Sequence, residues 1–223
     1  MTIEGLAEAT ALLGPAVLGP AELEHTLGYE PLATLTDAER REIARIPFSR
    51  ADLERARTDG EILVLRVPRD PDGPLTMLAL ARRLGDGLDP KVHKGVGYML
   101  RDEWTIDAQP FATSDTCTAG WWLVHRSPLP TTLNRVYRAQ DDLLPPPPTG
   151  RPARRSAVEI AFDTLVWQRA RGERLLGDAW DWSRSPSNDQ GFAALGEFGP
   201  QGLGVIAYSR AVRFGTLGVC PQR

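Results

Sequence analysis

Cys117 and His125 stand either side of the apolar run "GWWLV", with Asp115 just ahead of the thiol and Asp102 further back. A thiol, an imidazole and a carboxylate are the parts of a nucleophilic triad: the imidazole takes the thiol proton and the carboxylate orients the imidazole. Were the fold to gather them, the chemistry would be that of a small cysteine-dependent hydrolase or transferase. No other recognised catalytic motif accompanies them: GxxxxGK[ST], HExxH and GxSxG are absent. The remaining histidines, His25 and His93, have neither i, i+4 nor HxH spacing, and Cys117 and Cys220 lack CxxC spacing, so neither a metal nor a cofactor is expected. "RDPDGP" at 69–74 begins like a calcium loop, but its glycine is misplaced and no glutamate closes it, which leaves a turn. "HKGVGY" lacks the spacing of a phosphate cradle.

A second constellation is "DWSRSPSND", residues 181–189. Ser and Asn offer hydrogen bonds at small ordering cost and Trp supplies contact area, a mixture that suits recognition surfaces. Trp182, Ser183, Arg184, Ser185, Ser187, Asn188 and Asp189 are therefore the candidate binding residues, read as an exposed loop, with Trp122 beside them. The competing reading places the tryptophans in the core and uses the serines to cap turns.

The elements that must position these residues are legible in part. Three capping boxes mark helix starts: Thr36 with Glu39, Ser49 with Asp52, and Ser156 with Glu159. The first two open helices over about 36–46 and 49–57. The third opens a long helix with Val158, Ala161, Phe162 and Leu165 on its apolar face and Asp163, Arg169 and Arg171 on its wet side. "EILVLRV" at 61–67 fits a strand buried on both faces. A helix over 74–84, a strand near 121–125 and a helix over 131–143 follow, the last with Leu133, Val136 and Tyr137 on one face. Four successive prolines make 145–155 an extended connector. Beyond the long helix the period changes to two, and "GFAALGEF", "GLGVIAYS" and "FGTLGVC" read as three short strands, the first two joined by a turn at "GPQG". Segregated helices and strands give an α+β fold with a small antiparallel sheet. The chain divides into a helical N-terminal portion, 1–60, and an α+β domain, 61–223, that contains the connector.

In order and spacing, "GWWLVHRSPLP", a helix, "WDWSRSP", a strand ending in "EFGPQG" and a terminal "LGVCPQR" resemble the bacterial branch of C-type lectin-like domains, related in fold to the formylglycine-generating enzymes. Gly120, Trp122, Leu123, Pro128, Trp182, Ser183, Gly218, Val219 and Arg223 carry the likeness. It implies irregular outward loops that bind proteins or sugars. The lectin calcium motifs are absent, and the cysteines do not match those of formylglycine generation, so neither activity is implied.

The chain has 223 residues with a net charge of −3, and supplies none of the positive field that nucleic acid or an anionic membrane surface demands. The apolar N-terminus carries Glu4 and Glu8 where a secretory signal needs a basic start, and Gly14-Pro15 interrupts it, so a cytoplasmic location is expected. These readings favour a non-enzymatic interaction protein whose partner is another protein or, second, a carbohydrate. The cysteine enzyme is the first alternative. A structural subunit of a larger assembly, docking through the proline connector and the apolar N-terminus, is the second.

Overall fold

The structure, a computed structural model, describes residues 5–85, 88, 105–146, 151–188 and 191–223. Asp102, Asp189 and His93 with the rest of "HKGVGY", named above, lie outside them, as do residues 147–150 of the proline connector. The fold is α+β: among the described residues a three-stranded and a four-stranded sheet, with a two-stranded hairpin besides, have helices packed around them. No helix among the described residues is long and apolar enough to cross a membrane.

The first sheet has the order β1 (Val17–Leu18), β2 (Glu61–Arg66), β5 (Gly120–His125). β2 is central and every one of its residues is buried, as its unbroken apolar run dictates. β1, from the N-terminal portion, pairs parallel with it, and β5 pairs antiparallel, setting Glu61 opposite His125 and Arg66 opposite Gly120. Between them, Arg69–Asp70 (β3) and Gly73–Pro74 (β4) form a tight hairpin in "RDPDGP". The second sheet has the order β8 (Gly202–Tyr208), β7 (Phe192–Gly199), β6 (Trp180–Pro186), β9 (Leu217–Gly218). β9 runs parallel to β6, so the sheet is not wholly antiparallel as expected.

The helices α1 (Leu6–Leu13), α2 (Pro20–Leu27), α3 (Asp37–Ile43), α4 (Arg50–Asp59), α5 (Met77–Arg83), α6 (Pro110–Thr113), α7 (Tyr137–Asp141) and α8 (Ala157–Arg171) complete the described chain. All three capping boxes are formed, at α3, α4 and α8. α8 touches β2 of the first sheet, β6 and β7 of the second, and α2, α5 and α6. It is buried at every position from Ala157 to Trp167, so the expected wet side is corrected at Asp163, which is wholly enclosed, while Arg169 is exposed and Arg171 half-buried in the last turn. Surrounded on several sides, this helix has no solvent stripe over most of its length.

Three further expectations shift. α5 starts at Met77, because Pro74 is held in the β3–β4 hairpin and Thr76 caps the helix instead. The helix read over 131–143 breaks into a single 3-10 turn, Pro130–Thr132, and the short α7. Between them Asn134 adopts a left-handed φ of 54°, which no helix accommodates, and its N–H donates to Phe214. The segment read as a loop, "WDWSRSP", is the strand β6.

The core is one apolar cluster running from Ala9 to Cys220, and it includes residues of α1, α2 and α4 as well as both sheets. A second, smaller cluster joins Trp180, Trp182, Tyr137, Ala194, Ile206 and Leu217 on the opposite face of the second sheet. Strand alternation makes the division: Ala193 and Leu195 enter the main cluster while Ala194 between them enters the smaller one. After β9 the chain crosses to the first sheet, where Arg223 and Leu123 exchange backbone hydrogen bonds of 3.0 Å.

Candidate functional site

The triad does not assemble. Cys117 precedes β5 and His125 ends it, and at about 3.3 Å per residue the strand holds His125 roughly 17 Å from Gly120 at its start, with each of the two side chains engaged elsewhere. Cys117 is buried, its thiol directed at the Val158 carbonyl 3.8 Å away. Burial pushes the thiol well above its ordinary pKa, with Arg66 only partly opposing, so it is not a thiolate at neutral pH. Asp115 is exposed on the approach to the strand, and His125 takes a different carboxylate as partner. Cys220 is likewise a free, buried thiol pushed up by burial.

The exposed loop does not exist as such either. In β6, Trp182 and Ser183 have no solvent exposure, and Ser185 and Ser187 are buried. The Ser185 hydroxyl accepts the Ala157 N–H at 2.9 Å, serving the first turn of α8, while the Ser183 hydroxyl accepts the Ser185 N–H. Asn188 is exposed but engaged: its backbone N–H donates to Gln109 and its side-chain amide to the Ala108 carbonyl. Trp122 is buried with the guanidinium groups of Arg66 and Arg151 against its ring, at 5.0 and 4.5 Å. Among the described candidates Arg184 alone turns a charged group to solvent, its side chain 41% exposed.

Sequence reasoning missed a buried charge network for the same reason that it misread β6: polar residues alternating with tryptophan look like a loop. Asp181 faces α8 and accepts two hydrogen bonds from Arg155, at 3.0 and 2.7 Å. Arg155 also donates to Asp163, which accepts a bidentate pair from Arg66 at 2.8 and 2.5 Å. Glu159 lies 3.6 Å from Arg66, and the Cys220 N–H donates to Asp181. Burial raises the Asp181 pKa, and Arg155 beside it offsets part of that. These groups are enclosed and bonded to one another, so they lock α8 between the sheets and leave no reactive atom facing a cleft.

Two hollows meet at Pro145 and Pro146, which belong to the walls of both. The first, of about 360 Å³, lies where α4, the ends of β2 and β5, and the C-terminal residues converge. Glu61, 3% exposed, holds His125 Nε2 at 3.0 Å and Arg223 at 2.8 Å. Burial opposes ionisation of Glu61, but the hydrogen bonds from His125 and Arg223 outweigh it and hold the carboxyl below its usual range. Arg223 also reaches Asp52, whose pKa is lowered first by the Ser49 hydroxyl. Arg55 and Asp59, exposed on α4, complete the rim and make no ion pair with another described residue. Asp52, Asp59 and Glu61 against Arg55 and Arg223 leave this hollow one negative charge when His125 is neutral.

The second hollow, of about 400 Å³, is lined by Tyr137, Asp141, Leu144, Arg154 and Arg184 together with Pro152 and the shared prolines. Arg154 is saturated: it donates to Asp141, Gln140, the Trp182 carbonyl and the Tyr137 carbonyl, and its guanidinium stacks 4.0 Å from the Tyr137 ring. The Tyr137 hydroxyl donates to Ser183, and burial pushes its pKa up to about 12. Arg184 is not saturated. Among the described residues its ion pair is with Glu159, 3.5 Å away, which already takes the Ser156 N–H at 2.7 Å, and Asp115 feels its charge without forming an ion pair. Arg154 and Arg184 against Asp141 give this hollow one positive charge.

No group of three or more His, Cys, Asp or Glu side chains among the described residues could hold a metal ion. Compared with protein-family models, curated proteins and solved structures, the chain matches none of them.

Proposed function

We propose that this chain is a non-enzymatic binding protein whose contact surface is the pair of hollows flanking Pro145 and Pro146, and that its partner is another protein. The observation that carries this reading is the juxtaposition itself: two open depressions of opposite net charge share one apolar wall. Their volumes fall within the range of ligand pockets, and each sets a few polar groups among apolar ones. The C-type lectin-like assignment of the C-terminal half belongs to the same proposal. A long helix against a small sheet, with Trp182 and Ser183 in an inner strand and Gly218 in a strand paired beside it, supports it. On this reading Arg184 is the binding residue of its stretch, while Trp182, Ser183 and Ser185 hold the strand that carries it.

An acid–base enzyme is the second reading, favoured by the Glu61–His125 pair at the edge of a hollow. A carboxylate on one imidazole nitrogen leaves the other free to move a proton. Backbone-amide NMR titrations with short mixed-sequence peptides and with a set of monosaccharides separate the readings. The expected result is peptide-induced shifts confined to Tyr137, Asp141, Arg184 and the residues of the first hollow. Shifts produced by no probe would sink the binding reading, and turnover of an ester or phosphoester probe that disappears in His125→Ala would replace it.

A further inference from the structure

The hollow around Arg184 has a ligand chemistry of its own, and we infer that it is a subsite for the carboxylate side chain of an extended peptide segment of a partner protein; this rests on the binding reading above. Arg184 sits where the β6–β7 register shifts between Trp182 and Pro186. Irregular pairing of this kind loosens a strand from its neighbour, and within it Arg184 turns its guanidinium outward between the buried Ser183 and Ser185.

The other groups of the hollow decide what Arg184 can receive. Pro145, Pro146 and Pro152 have no N–H, so the wall gives an incoming group apolar surface but no donors. Arg154 has its donors committed, and the Tyr137 hydroxyl is already given to Ser183. The side-chain donors left for a ligand are those of the Arg184 guanidinium beyond its 3.5 Å contact to Glu159, in the fork geometry that matches a carboxylate. With Asp141 on the same rim, a single charge fits better than the double charge of a phosphate. The adjoining hollow, negative and reached across the shared prolines, suits a basic residue further along the same segment. The three prolines offer a strand no ladder donors, so recognition across them runs through side chains.

The test uses the intact chain and fluorescein-labelled Gly-Pro-Glu-Gly-Lys-Gly, with matched peptides carrying Gln or phosphoserine in place of Glu, read by fluorescence anisotropy at low salt. The wild-type chain is expected to bind the Glu peptide at least about tenfold more tightly than the Gln peptide, a ratio of the size that charge-assisted bonds give. Arg184→Gln should bring the two peptides to equal affinity, and Arg184→Lys should restore part of the difference. Arg184 is exposed enough for both variants to fold, and Asp37→Asn, on the exposed face of α3 and in neither hollow, should leave the Glu-to-Gln ratio unchanged. Equal binding of the Glu and Gln peptides, or a ratio that persists in Arg184→Gln, overturns the subsite while the binding reading stands. Tighter binding of the phosphoserine peptide overturns the carboxylate assignment. Absence of binding by every peptide overturns the subsite, and the NMR titration then shows whether the binding reading falls with it.

Discussion

Asp163 holds the most consequential position at the scale of single residues. It answers two guanidinium groups, Arg66 from β2 and Arg155 from the approach to α8, and all three are enclosed. Removing one member of a buried ion pair strands the other charge, a loss of about 3–5 kcal/mol. Asp163→Asn is therefore expected to lower the unfolding free energy by that much in urea titrations; a loss under about 1 kcal/mol would mean that water reaches the network. Cys117 gives a second prediction. Because burial keeps its thiol protonated, a thiol reagent at neutral pH should label neither cysteine of the native chain on a minutes scale, and both after unfolding. Fast labelling of Cys117 would revive the cysteine-enzyme alternative. At this scale the sequence was a poor guide. The outward position of Arg184, where the pairing with β7 is irregular, depends on that pairing and has no local signature.

Elements were more legible, for reasons that differ from one to the next. The Ser49–Asp52 and Ser156–Glu159 boxes are local chemistry, and they start α4 and α8 where the spacing puts them. The apolar continuity of β2 survives because that strand is enclosed by its own sheet and by α8. β6 looks like a loop in the sequence because its polar residues are spent inside the fold, Asp181 on the buried Arg155 and Ser185 on the Ala157 N–H, rather than in water. The break at Asn134 is a tertiary effect, anchored by the Phe214 carbonyl far along the chain. The β6–β7 pair also carries a sharp steric test. A Cβ on Gly196 would lie 2.0 Å from the Ala179 carbonyl oxygen and 2.7 Å from the Trp180 Cα, both backbone. Gly196→Ala should cost several times the ordinary 1–3 kcal/mol of overpacking, seen as a large drop in thermal midpoint. Gly215→Ala, with open space around it, should leave the midpoint within about 1 °C.

For the whole molecule, the decisive tie is the one that joins α4, β2, β5 and the C-terminal residues through Asp52, Glu61, His125 and Arg223. Glu61 ionises at lower pH in the folded chain than in the unfolded one. Its contribution is therefore complete above the ordinary glutamate value of about 4.3 and disappears as pH falls through the lowered folded value. Glu61→Gln should flatten that part of the acid limb of stability, measured by urea unfolding between pH 3 and 7. A limb of unchanged slope would show that the tie is not formed in solution. Part of the slope should remain in the variant, because Asp52 is also lowered and Glu39, held by Arg69, is down at about 2.

The enclosure of α8 bears on how this architecture can change. Each residue of an α-helix turns the chain by about 100°, so adding or deleting one inside α8 would rotate everything beyond it away from both sheets together, carrying Asp163 or its partners out of reach. The β3–β4 turn, whose Asp72 is exposed, faces no such double constraint. Length variation among descendants of this chain should accordingly collect in its hairpins and connectors and spare the central helix, whatever the surface comes to bind.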